Sequence, residues 1–294
     1  MPLSSGTAKN SSRRLSFDRV ARPQPPCYPT RPMPQTSPVM NVMIAAARKT
    51  ARALARDFGE VENLQVSRKG PSDFVSAADL KAEKTLFEEL SKARPGYGFV
   101  MEERGVIEGT DKTNRWFVDP LDGTTNFLHG IPHWAISIAL EREGVLVAGV
   151  IYNVARDELF WAEKGAGAYL NDKRIRVAAR SDLRDALFAT GAPFHARPGL
   201  DVFLAEAERV LNKSAGIRRW GSAALDLAYV AAGRFDGFWE RGLNVWDLAA
   251  GAVLVREAGG VAIEPDGGDF MKTGAILASN TTLAPQLQQT LRGG

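Results

Sequence analysis

Between Tyr97 and Asp172 six segments follow one another, YGFVM, RWFVD, HWAISIALE, VLVAGVIYN, ELFWAE and AYLND, each rich in β-branched and aromatic residues. This run commits the middle of the chain to a largely sequential sheet, with Asn171-Asp172 offering a turn. Upstream, NVMIAAARKTARALARDF spaces its apolar residues at three and four, and a second amphipathic helix is expected from about Ser76 to Lys92. Beyond about Arg180 the pattern changes. Helical stretches (Leu200 to Leu211, Ser222 to Ala232, Val245 to Ala258) alternate with short strands (Phe188 to Gly191, Gly237 to Glu240, Val261 to Glu264, Ala275 to Ala278). The chain therefore reads as α+β, with lobes of about 39–180 and 181–294 and no internal repeat.

Several classes of protein are excluded by simpler arithmetic. No apolar stretch approaches the roughly 18 residues that span a bilayer; HWAISIAL and VLVAGVIY are broken by charges within a few positions. The single cysteine, Cys27, rules out an intramolecular disulfide framework and a zinc finger, and fits a reducing, cytoplasmic setting. Residues 1 to 39 hold Lys9, Arg13, Arg14, Arg19, Arg22 and Arg31 against Asp18, a charge of +5, so the formal net of +3 leaves the body at −2. Bulk attraction to a polyanion would thus rest on the N-terminal segment alone. Residues 1–38, with PQPPCYPTRPMP at their centre, bury too little apolar surface to offset ordering entropy and are expected to be a disordered extension. Their Arg- and Ser-rich, acid-poor composition is similar to a transit peptide, but Met40 stands where periodic sequence begins, and a mis-set start codon is the preferred reading.

The chemistry concentrates in RWFVDPLDGTTNFLHG, residues 115–130, where an apolar strand runs into DPLDGTTN. Asp119 and Asp122 flank Pro120 and can converge on one point; Gly123 permits close backbone approach, and Thr124 and Thr125 suit the start of a short helix whose free N–H groups face an anion. Carboxylates beside such amides point to a metal-bridged phosphate, and hard oxygen ligands select Mg²⁺ over zinc. The alternative is a strand end, an Asx-turn and a helix cap with no ligand at all. Three further acids bear on the choice. Glu102 follows the strand YGFVM and can come beside Asp119. Asp247 opens the helix WDLAAGAVLVREAGG, where interaction with the helix dipole is the simpler explanation. Asp79 lies in SAAD, where Ser76 and Asp79 can also be read as a capping-box-like pair.

GPSDFVSAAD, MEE, DPLDGTTNF and WDLAAG occur in the order and approximate spacing of the inositol monophosphatase family, which the chain resembles over roughly Met40 to Leu291. The resemblance implies the layered αβαβα sandwich of the sugar-phosphatase superfamily, with a metal site between the lobes. It implies that Glu102, Asp119 and the Leu121 carbonyl hold a first Mg²⁺, that Asp119, Asp122 and Asp247 hold a second, and that a weaker third ion sits near Glu102. By the same resemblance Asp79 and Thr124 orient and deprotonate the attacking water, and Lys69 belongs to a loop that approaches the metals. Gly123 and Thr124 present N–H groups to phosphate, while Asp122, Glu240 and the Gly221-Ser222-Ala223 turn, beside Asp247, meet the substrate. His129, His133 and His195 have no ligand-like spacing and read as packing or surface residues.

Two departures bear on substrate. Met101 stands where a glycine often precedes the metal-binding glutamate, and Asn244 stands where animal members carry a histidine. ERGLNVWDLAAG is more similar to the bacterial, suppressor-type branch. The resemblance accordingly implies a Mg²⁺-dependent, lithium-sensitive, typically homodimeric phosphatase of a small phosphorylated substrate, with inositol 1-phosphate first and histidinol phosphate, fructose 1,6-bisphosphate or 3'-phosphoadenosine 5'-phosphate as alternatives. Bacterial relatives of this type are also associated with transcription and ribosomal RNA, so contact with RNA or a transcription factor is a rival expectation. GAGAYL, which superficially matches a nucleotide loop, is read as a hairpin because no helix follows it.

Overall fold

Ser37 opens the first helix, α1 (Pro38–Gly59): its Oγ accepts from the Met40 amide at 3.1 Å, and Pro38 occupies the first turn, where a missing N–H costs nothing. The computed structural model describes residues 36–60, 66–70, 73–193 and 198–294, with backbone alone for 66–70 and 73–76. The expected disorder of the extension falls on residues outside this set, apart from its last three. α1 begins one residue before the boundary set from sequence, and Val39 and Met40 are already buried. A truncation after residue 38 should therefore lose the cap and melt below one made after residue 35, by about 1 kcal/mol in denaturant unfolding.

A hairpin of β1 (Val66–Gly70) and β2 (Asp73–Ser76) leads into α2 (Ala77–Ala93). The first main sheet has eight strands: β3 (Tyr97–Met101), β4 (Gly105–Ile107), β5 (Asp111–Asp122), β6 (Ala135–Arg142), β7 (Val145–Asn153), β8 (Glu158–Glu163), β9 (Gly167–Leu170) and β10 (Lys173–Ile175). Their order is β10-β9-β8-β7-β6-β5-β3-β4. Every pairing is antiparallel except β3 with β5, and Asn171 adopts a left-handed φ of 51° in the turn between β9 and β10, so GAGAYL does form a hairpin. The second sheet orders β12 (Gly216–Arg218), β11 (Leu187–Thr190), β13 (Gly237–Glu240), β15 (Ile276–Ser279) and β14 (Val261–Ile263). Its helices are α4 (Leu200–Leu211), α5 (Ala223–Ala231), α6 (Val245–Glu257), α7 (Phe270–Thr273) and α8 (Leu283–Leu291).

Alternation along the strands of the first sheet divides the core in two. Trp116 and Val118 of β5, and Ile136, Ile138 and Leu140 of β6, pack with α1 and α2. Phe117, Ala135 and Ala139 point the other way, onto α5 and α6. That second face is lined by small residues, and Gly149 is the extreme case: a Cβ there would lie 2.6 Å from the Ala250 carbonyl oxygen, so α6 lies directly on β7. α5 and α6 are buried on nearly all sides because the second sheet covers them, through Phe238, Ala262, Ile276 and Ala278. On the far side of that sheet, Phe188, Trp239 and Leu277 pack with Val210 of α4 and Leu283, Leu287 and Leu291 of α8. The layers are α1/α2, sheet, α5/α6, sheet, α4/α8, the αβαβα sandwich that the family resemblance implied. Among the described residues no helix is long and apolar enough to cross a membrane.

Candidate active site

Parallel pairing of β3 with β5 sets Met101 opposite Val118, so the next residues along, Glu102 and Asp119, leave adjacent strand ends together. In a regular strand Asp119 and Asp122, three apart, would face opposite sides. Opposite β6 the register slips here: Asp119 pairs with Ser137 but Asp122 pairs with Ala135, two residues on. One extra residue in the Pro120-Leu121 step is a bulge, which returns both carboxylates to the face that carries Ser137 and Ala135. That face meets the start of α6, where the Ser137 hydroxyl donates to the Trp246 carbonyl at 3.3 Å and so brings Asp247 near enough for its charge to act on Asp119.

Each of these carboxylates commits an oxygen to the protein. Asp119 Oδ1 accepts from the Leu121 amide at 2.8 Å. Asp122 Oδ2 accepts from the Ser222 hydroxyl at 2.5 Å and the Ala224 amide at 2.8 Å, at the N-terminus of α5. Asp247 Oδ2 accepts from the Asn244 amide at 2.7 Å, so beyond any interaction with the helix dipole it caps the start of α6. Burial, then the charges of Glu102, Asp122 and Asp247, push the Asp119 carboxyl far above the usual carboxylate range. Asp247 is likewise pushed well up by burial and by Asp122. Burial raises Asp122 to about 6 against the pull of Ser222 and the α5 amides. As the side chains stand, no three His, Cys, Asp or Glu among the described residues are arranged around one point to hold an ion. The donor set is nevertheless all oxygen, and four acids within one another's field are what a hard divalent cation would neutralise.

Gly123, with φ of 90°, ends the bulged strand and caps α3 (Thr124–Leu128). The left-handed turn is one that a side chain would strain, and it brings the Thr124 Oγ1 within 3.0 Å of the Leu121 carbonyl and 3.2 Å of Asp79 Oδ1. Asp79 is buried in the first turn of α2, which starts at Ala77 directly after β2; the side chain of Ser76 lies outside the described residues, and with it the capping-box alternative. Lys69 is on β1 and its side chain is likewise outside the described set. Glu240 ends β13, close enough for its charge to act on Asp247. The Gly221-Ser222-Ala223 turn abuts Gly123, where a Cβ would lie 3.3 Å from the Gly221 carbonyl oxygen, and it serves to hold Asp122.

Three residues around the site were not singled out from sequence. Asn126 of α3 donates to the His133 and Trp220 carbonyls, both at 2.8 Å, and ties the DPLDGTTN loop to the turn before α5. Glu83, one turn after Asp79 on α2, accepts from the Glu103 amide at 2.7 Å and holds the segment that carries Glu102. Asp226 is a buried acid inside α5 with one oxygen unpartnered, pushed well up by burial and the charge of Glu240. An acid interrupting ALDLAYVAA was its only sequence signal.

Of the histidines, His195 lies outside the described residues and His129 is exposed. His133 is buried against Trp220 and Tyr229, and burial, reinforced by the charge of Arg156, lowers it to about 4. A histidine held neutral in the fold contributes stability above its unfolded pKa of roughly 6.5 and loses it as pH falls toward 4. Urea unfolding at pH 7 and pH 4.5 should show wild type losing on the order of 2 to 3 kcal/mol more than His133→Phe over that interval.

Two α/β layers sharing a central pair of helices, with acids gathered where the first sheet meets those helices, define the sugar-phosphatase class of architecture. The profile of the inositol monophosphatase family matches residues 35–293, and the chain belongs to that family. It is 61% identical to the inositol-1-monophosphatase of Caulobacter vibrioides over 85% of this chain and 99% of the relative. It is 43% identical to the Nus factor SuhB of Escherichia coli K12, over 87% of this chain and 96% of that protein. Among solved structures, the extragenic suppressor protein suhB of Bartonella henselae superposes with a TM-score of 0.85 at 57% identity, covering 88% of this chain and 100% of that one.

Proposed function

We propose that this protein is a Mg²⁺-dependent phosphatase that hydrolyses a small polyol phosphate, inositol 1-phosphate, to the polyol and phosphate. The observation that carries the reading is the gathering of Glu102, Asp119, Asp122 and Asp247 beside the contact between Thr124 and Asp79. Glu102, Asp119 and the Leu121 carbonyl would hold one cation and Asp119, Asp122 and Asp247 a second, with a weaker third near Glu102. When bound, such ions supply charge neutralisation for a phosphate dianion and a lowered pKa for water. The protein's own part is to place the proton acceptor: Thr124 Oγ1 takes the proton of the attacking water and passes its own to Asp79 Oδ1. Gly123 and Thr124 amides orient phosphate oxygens, Lys69 adds positive charge, and Asp122, Glu240 and the turn at 221–223 accept and donate to substrate hydroxyls. The leaving alkoxide is protonated from water.

Steady-state kinetics with Mg²⁺ on inositol 1-phosphate, histidinol phosphate, fructose 1,6-bisphosphate and 3'-phosphoadenosine 5'-phosphate test the reading. The highest kcat/KM belongs to inositol 1-phosphate, with inhibition by lithium; no turnover of any of the four refutes it. Light scattering tests the homodimer, and the setting we assign is the cytoplasm.

Glu83 extends this reading to a residue that touches no metal. Glu83→Ala frees the segment bearing Glu102 and should weaken Mg²⁺ binding about 10-fold, whereas Glu83→Gln keeps an acceptor for the Glu103 amide and stays near wild type in calorimetric titration. The likeness to a Nus factor supports a second role, contact with a transcription complex or ribosomal RNA. Full cellular function from an inactive Asp119→Asn protein would favour it over catalysis.

A further inference from the structure

Gly191 is the first residue after β11. β11 and β13 run parallel, with Phe188 opposite Gly237, Ala189 opposite Phe238 and Thr190 opposite Trp239, which brings Gly191 level with Glu240. The register is pinned at that end by the Thr190 hydroxyl, which donates to the Trp239 carbonyl at 2.8 Å. Gly191 is buried, and the carboxylate of Glu240 lies over its Cα so closely that a Cβ at position 191 would fall inside the carboxylate itself. The backbone at 191 is not in the left-handed region, so glycine is not required there by conformation; what requires it is the space. Around this seat stand other acids. Asp226, buried on α5 with an unpartnered oxygen, and Asp247 at the start of α6 both feel the charge of Glu240.

We propose that Gly191 is a specificity-determining position: by lacking a side chain it admits the Glu240 carboxylate onto the end of β11, at the height where that carboxylate accepts hydroxyl groups of a polyol leaving group. The inference rests on the reading of Glu240 as a substrate contact. A methyl group at 191 expels the carboxylate and leaves the metal-binding acids and the Thr124–Asp79 contact where they are, so the loss falls on substrates with hydroxyls beyond the ester and spares those without.

The test is a double-mutant cycle of Gly191→Ala and Glu240→Ala, assayed on inositol 1-phosphate and on p-nitrophenyl phosphate, which has no hydroxyl to bind. Each single variant should raise KM for inositol 1-phosphate about 10-fold, and the double variant should be no worse than either, since both remove one interaction. For Gly191→Ala, KM for p-nitrophenyl phosphate and kcat on either substrate should change less than about 2-fold. If Glu240→Ala raises KM and Gly191→Ala does not, the inference is wrong and the reading of Glu240 stands. If Glu240→Ala leaves KM unchanged, that reading falls and the inference with it. Should Gly191→Ala fail to fold, the double variant must restore soluble protein with the melting temperature of Glu240→Ala, because the clashing group is then gone; failure to restore it overturns the proposal.

Discussion

Asp119→Asn should abolish turnover and, in the protein without metal, raise the melting temperature. The two effects have one cause. Asp119 is buried, and its carboxyl is pushed up first by that burial and then by the charges of Glu102, Asp122 and Asp247. An amide preserves the shape of the side chain and can still accept from the Leu121 amide, as Oδ1 does at 2.8 Å. What it removes is a negative charge that two cations would share. Mg²⁺ affinity should fall beyond calorimetric detection, and kcat by at least the roughly 10² to 10³-fold that follows from losing one group that stabilises transition-state charge. In the absence of metal the same charge is a liability, because four acids repel one another in a partly desolvated place, and its loss should raise Tm by a few degrees. Mg²⁺ should stabilise wild type against heat and leave the variant unchanged. A variant that still binds Mg²⁺ with wild-type affinity would remove Asp119 from the ligand set.

Thr124→Ala should do the reverse: metal binding stays, catalysis goes. The Thr124 hydroxyl has one proton and two acceptors within reach, the Leu121 carbonyl at 3.0 Å and Asp79 Oδ1 at 3.2 Å. Neither contact involves the oxygens that hold Asp119, Asp122 or Asp247 in place, so the acidic cluster survives the substitution. The proton of the attacking water then has no route to Asp79, and kcat should drop about 10² to 10⁴-fold, the span of general acid–base contributions. Thr124→Ser, which keeps the hydroxyl, should recover most of it. Calorimetry and kcat measured on the same preparations separate the two roles, and the assignment fails if Thr124→Ala loses Mg²⁺.

Much of this arrangement is legible in the sequence. The periodic and β-rich segments mark nearly every long element, and Asp119, Asp122, Asp247, Glu102, Asp79 and Thr124 stand out from their motifs. The short strands β4, β10 and β12, each three residues, carry no period long enough to read, and α8 holds a proline in its first turn that interrupts the pattern. Glu83 looks like any solvent-facing glutamate until the 102–104 segment is laid against it. Asn126 gives no sign that its amide reaches across to Trp220, 94 residues away.

The amino-acid sequence by itself determined most of the longer helices and strands, because side-chain periodicity is local, and which acids are available, because residue identity is local too. Only the tertiary structure decided which way those acids face. The bulge between Asp119 and Asp122 exists solely as a mismatch in register between β5 and β6, and it is that mismatch which turns the two carboxylates to one side. The approach of Asp247 depends on α6 lying flat on small residues of another layer, and the seat of Glu240 depends on a glycine from a neighbouring strand. Each is a property of two segments in contact, set by close packing and pairing between residues far apart in the chain, and so beyond the reach of any local pattern.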